Sequence, residues 1–320
     1  MSDSYDFAII GAGLAGSFCA GLLQTDYPKL CVLEKSRGTG GRLSSRQYQS
    51  LSYDLGSPCL HLDPEQFGDE LLQWQNAGVL KRWPEADHDP FLAYVGRPNM
   101  SSLTRHLIGN AEIHTRTRIE RLEHLGDCWQ LKDIDEQTIC YTKGLIICAP
   151  ARQTCALLAG TPCSEDWLTR SHTSSQTSRA QWCMAIEVNR ELPAPGYIAP
   201  DNSIITRIVN DSNKPGRENI FNLWMIQADT EWSIQYADSH HEQVQQELEQ
   251  EFCRIMQLDP QDITSQSPHR WNLAKHERTA GPLALWDSEL KLGIAADWLG
   301  EANINSALLS ARNLCELIRS

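Results

Sequence analysis

Apolar residues along this chain recur with two different spacings. Phe7-Ala8-Ile9-Ile10 and Leu30-Cys31-Val32-Leu33 are unbroken apolar runs of strand length, and Gly144-Leu145-Ile146-Ile147-Cys148 is a third. Runs of this kind suit parallel strands buried on both faces. They predict strands over 6–10, 30–34 and 144–148, with a helix over about 14–24 between the first two. Helical spacing governs other stretches. A helix over about 64–77 carries Leu71, Leu72 and Trp74, another spans about 100–109, and a long one at about 239–256 sets Val244, Leu248, Phe252 and Ile255 on one face. Residues 112–115, 118–125, 128–133 and 137–141 read as short strands joined by Gly126-Asp127 and polar turns, a meander leading into 144–148. Ala149-Pro150 ends that strand, and the Ser/Thr-rich stretch 171–178 reads as a loop. The pattern holds no internal repeat and no low-complexity tract.

The first strand runs directly into Gly11-Ala12-Gly13-Leu14-Ala15-Gly16, and Glu34 closes the second. Strand, glycines, helix, strand and acid in that order form a dinucleotide-binding unit. Gly11 permits the tight turn, Gly13 lets backbone approach a pyrophosphate, and Gly16 lets helix and strand pack closely. The helix start offers free N–H groups and the positive end of its dipole to phosphates. Glu34 stands where a carboxylate accepts hydrogen bonds from a ribose diol.

Length and charge narrow the setting. With 320 residues, 41% hydrophobic, the chain can bury a large core and is expected to form two domains. A formal charge of -13 disfavours nucleic-acid and anionic-membrane partners. The glycine-broken stretch 7–23 comes after Asp3 and Asp6 rather than basic residues, so it reads neither as a signal nor as a membrane span, and a cytoplasmic protein is expected. Eleven cysteines include no C-x-x-C pair and no Cys/His cluster at zinc spacing, so no metal site is expected. Cys19, Cys31, Cys148, Cys155, Cys183, Cys253 and Cys315 lie in apolar or helical runs as small hydrophobes. Lack of a redox dithiol also argues against a disulfide reductase. His240-His241 opens a Gln/Glu-rich helix as a solvated face.

The segment after Glu34 separates nicotinamide from flavin. Lys35-Ser36-Arg37-Gly38-Thr39-Gly40-Gly41-Arg42-Leu43-Ser44-Ser45 brings basic residues and a second glycine cluster, giving backbone donors and a guanidinium for a longer dinucleotide. With Asp54-Leu55-Gly56 these residues resemble the flavin-dependent amine oxidase group, and within it the renalase-like proteins. The segments 94–103, 204–217, Glu231-Trp232-Ser233, His269-Arg270-Trp271, 292–298 and 303–310 are similar to that family's in the same order, over nearly the whole chain.

The resemblance implies an α/β fold of two domains, the FAD-binding fold of the amine oxidase and p-hydroxybenzoate hydroxylase type. A Rossmann-like cofactor domain is expected over 1–60, 97–155 and 268–320. A substrate domain with a mixed sheet is expected over 61–96 and 156–267, with strands at 181–188, 203–209 and 219–227. The cofactor is expected to be non-covalent FAD. Its implied contacts are Gly11, Ala12, Gly13, Leu14, Ala15, Gly16, Glu34, Lys35, Arg37, Gly40, Gly41, Arg42, Leu43, Gly56, Ser57, Pro58, Ile119, Ala149, Pro150, Asp297, Ile304, Asn305 and Ala307. His61, His269 and Trp271 are candidate pocket walls, with no acid–base role assigned. Reaction is expected between the two sheets.

The implied chemistry is oxidation of a small-molecule hydride donor, a misreduced dihydronicotinamide dinucleotide, with dioxygen as acceptor and hydrogen peroxide as product. Arg97, Arg105, Arg207, Lys214 or Arg217 would meet the anionic groups of such a substrate. Two alternatives stand beside it: an NADPH-dependent FAD monooxygenase, and a flavoprotein whose altered site serves binding or structure. The departures fall where substrate would sit. After Asp54-Leu55-Gly56 the family tends to continue Ala-Gln-Tyr-Phe-Thr, whereas this chain has Ser57-Pro58-Cys59-Leu60-His61; Asn303-Ile304-Asn305-Ser306 replaces a Val-Glu-Gly-Ala pattern.

Overall fold

The computed structural model describes residues 3–217 and 222–320, which divide into two compact units. The first comprises residues 1–41, 104–178 and 276–320, and the second 42–103 and 179–275. Residues 42–60, 97–103 and 268–275, expected with the nucleotide-binding segments, thus pack in the second unit, and 156–178 pack in the first.

An eight-stranded sheet organises the first unit. Its path runs Ala284–Asp287, Leu292–Ala295, Thr138–Ile147, Asp3–Ile10, Leu30–Glu34, Glu112–Thr115. All neighbours on that path are parallel except the first pair. Parallel strands need covered faces, and here Ile9, Leu145, Ile146 and Ile294 are wholly buried. The stretches 137–141 and 144–148, expected as separate strands, form one strand Thr138–Ile147. The polar pair between them is accommodated: buried Thr142 donates its hydroxyl to Gly144 O at 2.8 Å, and Lys143 reaches Asp6 at 2.9 Å. Arg121–His124 and Trp129–Lys132 pair antiparallel beside it.

Residues 171–178, expected as a loop, lie largely in the helix Glu165–Gln176. Ser164 caps it by accepting from Asp166 N, and the Ser171 and Ser175 hydroxyls donate back to Leu168 O and His172 O. Serine hydroxyls bonded to their own helix cost it little, and Ser171 and Ser174 are buried against the unit.

The second unit is built on antiparallel pairing. Arg179–Val188 is its central strand, flanked by Leu223–Ala228 on one side and by Ile263–Ser265 and His269–Lys275 on the other. Ile205–Asn210 continues the sheet beyond Leu223–Ala228. Of the expected strand 219–227, residues 219–221 lie outside the described residues. Trp182, Ile186, Trp224 and Ile226 form a core with Val244, Leu248 and Phe252 of the helix His241–Met256. A smaller sheet, Leu60–Leu62, Leu92–Gly96 and Leu80–Arg82, completes the unit. Among the described residues no helix is long and apolar enough to cross a membrane.

Candidate dinucleotide site

Register decides where the first unit's chemistry collects. Ile10 lies opposite both Ile147 and Leu33, and Ile147 opposite Ile294, so four parallel strands end level. Gly11, Glu34, Cys148 and the segment leading to Asp297 therefore leave the sheet along one carboxyl edge, where open parallel sheets bind ligands.

The turn itself is tightly specified. Gly11 has φ +105°, donates to Leu33 O at 2.8 Å, and would set a Cβ 2.6 Å from Cys148 O. A Cβ at Gly16 would fall 2.0 Å from Gly11 O. Gly13 differs, since a Cβ there meets nothing within 4 Å. The helix Leu14–Leu23 starts at Gly13 without a side-chain cap or an acid in its first turn. Its first amides thus keep the donor capacity and positive end that an anion uses.

Glu34, 6% exposed, is held by backbone on both sides. Its Oε2 accepts from Ala12 N at 2.9 Å and its Oε1 from Ser36 N at 2.7 Å. A carboxylate offers about four lone-pair positions, so acceptor capacity remains for a diol. The second glycine cluster lies against the first: Gly40 N donates to Ala12 O at 2.8 Å, and Gly41 approaches Gly13 so closely that a Cβ would sit 3.2 Å from its Cα. Lys35 and Arg37 are exposed beside it, and Ile119 is buried.

Ala149 O is taken by Trp298 Nε1 at 3.1 Å and by Thr154 Oγ1 at 3.0 Å, and Pro150 precedes the helix Ala151–Leu158. Asp297, buried, meets His276 Nε2 at 2.9 Å. That histidine is absent from the expected site; an isolated His in a polar segment gives no signal of a partner 21 residues away. Asn303 caps the helix Ile304–Arg319 through Ser306 N at 2.8 Å, which places Asn305 and Ala307 in its buried first turns. Ile304 is partly exposed.

Arg42, Leu43, Gly56, Ser57 and Pro58 are brought together within the second unit. Ser57 N donates to Arg42 O at 2.8 Å, and a Cβ at Gly56 would lie 1.9 Å from that same oxygen. Leu43 and Pro58 are buried. Trp271 Nε1 donates to Leu55 O at 3.3 Å, with the His269 ring edge-on to Trp271 at 4.8 Å. His61 stands apart from this pair. It lies on the smaller sheet, bonded to Ala86 O at 2.7 Å and facing His88.

Burial, then the neighbouring charges of Arg46 and His241, push His269 down to about 4. It is therefore neutral at neutral pH. Arg46 Nη2 lies 3.0 Å from His269 Nδ1. A guanidinium only donates, so Nδ1 accepts and the ring proton sits on Nε2. Gln227, buried, donates to Gly56 O at 2.8 Å. Arg46 and Gln227 carry no sequence signal because neither sits in a motif; strand alternation alone points Gln227 to a face without naming its partner.

Two of the proposed anion-contacting cations are already committed. Lys214 is buried between Asp54 and Asp211, at 2.9 and 2.6 Å. Arg217 binds Asp54 and the carbonyls of Gly96 and Pro98. Their two charges are balanced by Asp54 and Asp211, while Arg217 Nε is buried without a hydrogen-bond partner among the described residues. Arg97 is exposed, and Arg207 reaches Gln227 Oε1 at 3.3 Å. Among the described residues no cluster of His, Cys, Asp or Glu could hold a metal ion.

Residues 9–70 match the family model described as an NAD(P)-binding Rossmann-like domain. Among solved structures the chain is similar to a candidate protoporphyrinogen oxidase from Exiguobacterium sp. 255-15, with a TM-score of 0.73 and 11% identity over 99% of both chains. It is similar also to a putrescine oxidase with redesigned cofactor binding, at 0.69 and 10% over the whole of both chains. A protein from Pyrococcus furiosus matches at 0.63 and 12%, over 98% of this chain and 97% of that one. At such identities the likeness is one of fold, and it bears out the expected α/β architecture of the amine oxidase type, a parallel Rossmann-like sheet with a second sheet domain.

Proposed function

We propose that this chain is an FAD-dependent oxidoreductase, renalase-like in type, that oxidises a small hydride donor with dioxygen as acceptor and hydrogen peroxide as product. The donor we infer is a misreduced dihydro isomer of NAD(P). One observation supports the cofactor above others: of the three glycines in the turn, Gly13 alone leaves open space at an uncapped helix start, while Gly11 and Gly16 are held by packing. A space that only a missing Cβ keeps open is what a pyrophosphate needs from backbone.

The residues fit such a group. The amides from Gly13 to Gly16 would hold phosphate oxygens, and Glu34 would hold ribose hydroxyls with the lone pairs its backbone donors leave free. Asp297 and the start of the helix Ile304–Arg319 would hold the remainder. When bound, FAD supplies hydride acceptance and electron transfer to dioxygen, chemistry that no side chain possesses. The protein's own part is to orient the donor and exclude side reactions. His269 serves as a neutral Nε2–H donor whose charge is constant above about pH 5, consistent with a reaction that needs no side-chain acid or base.

The test is an anaerobic reduction of the purified holoprotein. Dihydro NAD(P) isomers reduced at the 2- or 6-position should bleach the flavin rapidly and ordinary 4-dihydro NAD(P)H slowly, because near-attack placement of one ring carbon is worth several powers of ten. Readmitted air should restore the spectrum with peroxide equal to the donor consumed. Fast bleaching by 4-dihydro NADPH coupled to hydroxylation of a third compound would replace this reading with the monooxygenase. No bleaching by any isomer or amine, with FAD bound, would withdraw the oxidase assignment.

A further inference from the structure

Three of the chain's free thiols converge beneath the glycine turn. Cys19 lies three residues beyond Gly16 on the helix Leu14–Leu23, so the two share a face. That face meets Cys148, because a Cβ at Gly16 would lie 3.1 Å from Cys148 Cβ. It also meets the closing helix, where Cys19 Sγ lies 3.9 Å from Ala311 O and Cys315 stands four residues further along the same face. Cys148 and Cys315 are the two side chains that bear most strongly on the Cys19 thiol. Cys19 and Cys315 are 0% and 1% exposed, while Cys148, just past its strand, is partly exposed.

We propose that Cys148 and Cys19 form a peroxide-responsive dithiol, with Cys148 the entry sulfur and Cys19 the thiol that resolves it. The Cys148 sulfur attacks one oxygen of hydrogen peroxide, the O–O bond breaks, and water leaves to give a sulfenic acid. The Cys19 sulfur then attacks the Cys148 sulfur, the S–O bond breaks, and the Cys19 proton departs with a second water. Two thiols are oxidised to one disulfide, and one peroxide is reduced to two waters.

The order of the steps is set by access and by protonation. Peroxide reaches Cys148 first, since the other two sulfurs are sealed. The neighbouring thiols of Cys148 and Cys315, and then burial, push the Cys19 thiol well up, so it is not the first nucleophile and attacks only as its proton passes to the hydroxide leaving the Cys148 sulfenic acid. Cys315, equally buried, stays a thiol. The inference is independent of the oxidase reading, although an enzyme releasing peroxide would meet this oxidant as its own product.

The experiment treats the folded protein, with and without FAD, with increasing hydrogen peroxide, blocks remaining thiols with iodoacetamide, and maps non-reduced peptides by mass spectrometry. A Cys19–Cys148 cross-linked peptide that grows with peroxide and disappears on reduction is expected. Cys148→Ser should leave Cys19 alkylatable after unfolding, whereas Cys315→Ser should still form the link. Cys148 advancing to sulfinic acid with Cys19 still reduced would overturn the proposal. So would oxidation confined to Cys128, Cys155 and Cys163, the other partly exposed thiols. The wild-type map alone decides between these outcomes if a variant fails to fold.

Discussion

Lys214 Nζ lies 2.9 Å from Asp54 Oδ2 with neither side chain exposed to solvent. A second carboxylate, Asp211, approaches the same ammonium at 2.6 Å, and Arg217 adds a second cation on Asp54, so the buried group is formally neutral. Asp54 Oδ1 accepts from Met100 N at 2.8 Å as well. The aspartate of Asp54-Leu55-Gly56 is thus an anchor inside the second unit, drawing together segments about Asp54, Met100 and Asp211.

Lys214→Met should destabilise the protein by about 3–5 kcal/mol, because it leaves two carboxylates buried with one cation between them. Urea unfolding measures this directly. Lys143→Met is the comparison: its ion pair with Asp6 is largely solvated, and its loss should cost under about 1 kcal/mol. Equal costs at both positions would mean that the buried cluster rearranges or admits water.

Two groups contribute to the acid limb of stability in separate windows. Burial alone would raise Asp54, but Lys214 and Arg217 overcome it and hold the carboxyl down at about 2. Its folded value lies below the unfolded one, so its contribution is present above about pH 4 and is lost as pH falls through 2. His269, pushed down to about 4, acts in a different window. The unfolded chain takes up that proton near 6.5 and the folded protein does not, so stability falls between about pH 6.5 and 4 and then levels off. His269→Asn should flatten this upper portion and leave the drop below pH 4. Part of the slope will persist through His61, also pushed down by burial.

Glycine positions separate folding from binding. Gly16→Ala forces a methyl to 2.0 Å from Gly11 O and should abolish the fold, whereas Gly13→Ala places its methyl in open space. Gly13→Ala should therefore melt close to wild type and bind FAD at least tenfold more weakly, about 1.4 kcal/mol. Thermal melting paired with titration of the apoprotein reads both quantities. Unchanged affinity would remove Gly13 from the phosphate site.

The flavin should be non-covalent. The segment from Asp297 to Asn305 contains no Cys, His or Tyr that could form a flavin bond. Acid or heat should release all the yellow colour as FAD; colour that stays with precipitated protein, or FMN in the supernatant, would contradict this.

The legible parts of the molecule are those whose causes are local. Phe7 to Glu34 can be read because parallel strands buried on both faces leave unbroken apolar runs, and because the glycines' backbone demands are met within a few residues. Thr138–Ile147 reads as two strands because Thr142 and Lys143 interrupt its apolar run, yet their partners Gly144 and Asp6 satisfy them in place. Lys214 is the least legible. A lysine beside Pro215-Gly216 reads as surface, and its burial becomes tolerable only where Asp54, 160 residues away, joins the nearby Asp211 on its ammonium. The pairing of His276 with Asp297 is missed for the same reason: contacts between side chains far apart in sequence carry no periodic signal.

Glu34 is the position where structure and binding should be hardest to separate, and Glu34→Gln separates them. The carboxylate accepts from Ala12 N and Ser36 N at once, one on each oxygen. An amide has a single oxygen, so glutamine must turn its NH2 toward one of these backbone donors and leave that pair unsatisfied. Charge-assisted hydrogen bonds of this kind are worth about 1.5 to 3 kcal/mol, and a stability loss of that order is expected by urea unfolding even without cofactor. FAD binding should weaken by a further margin, since the same charge would also accept from ribose hydroxyls. Comparing unfolding with and without saturating FAD isolates that margin, because ligand stabilisation depends only on affinity and concentration. A stability loss that is identical in both conditions would make Glu34 an anchor for the Ala12 turn and nothing more. A loss that grows when FAD is present would place its carboxylate in direct contact with the cofactor.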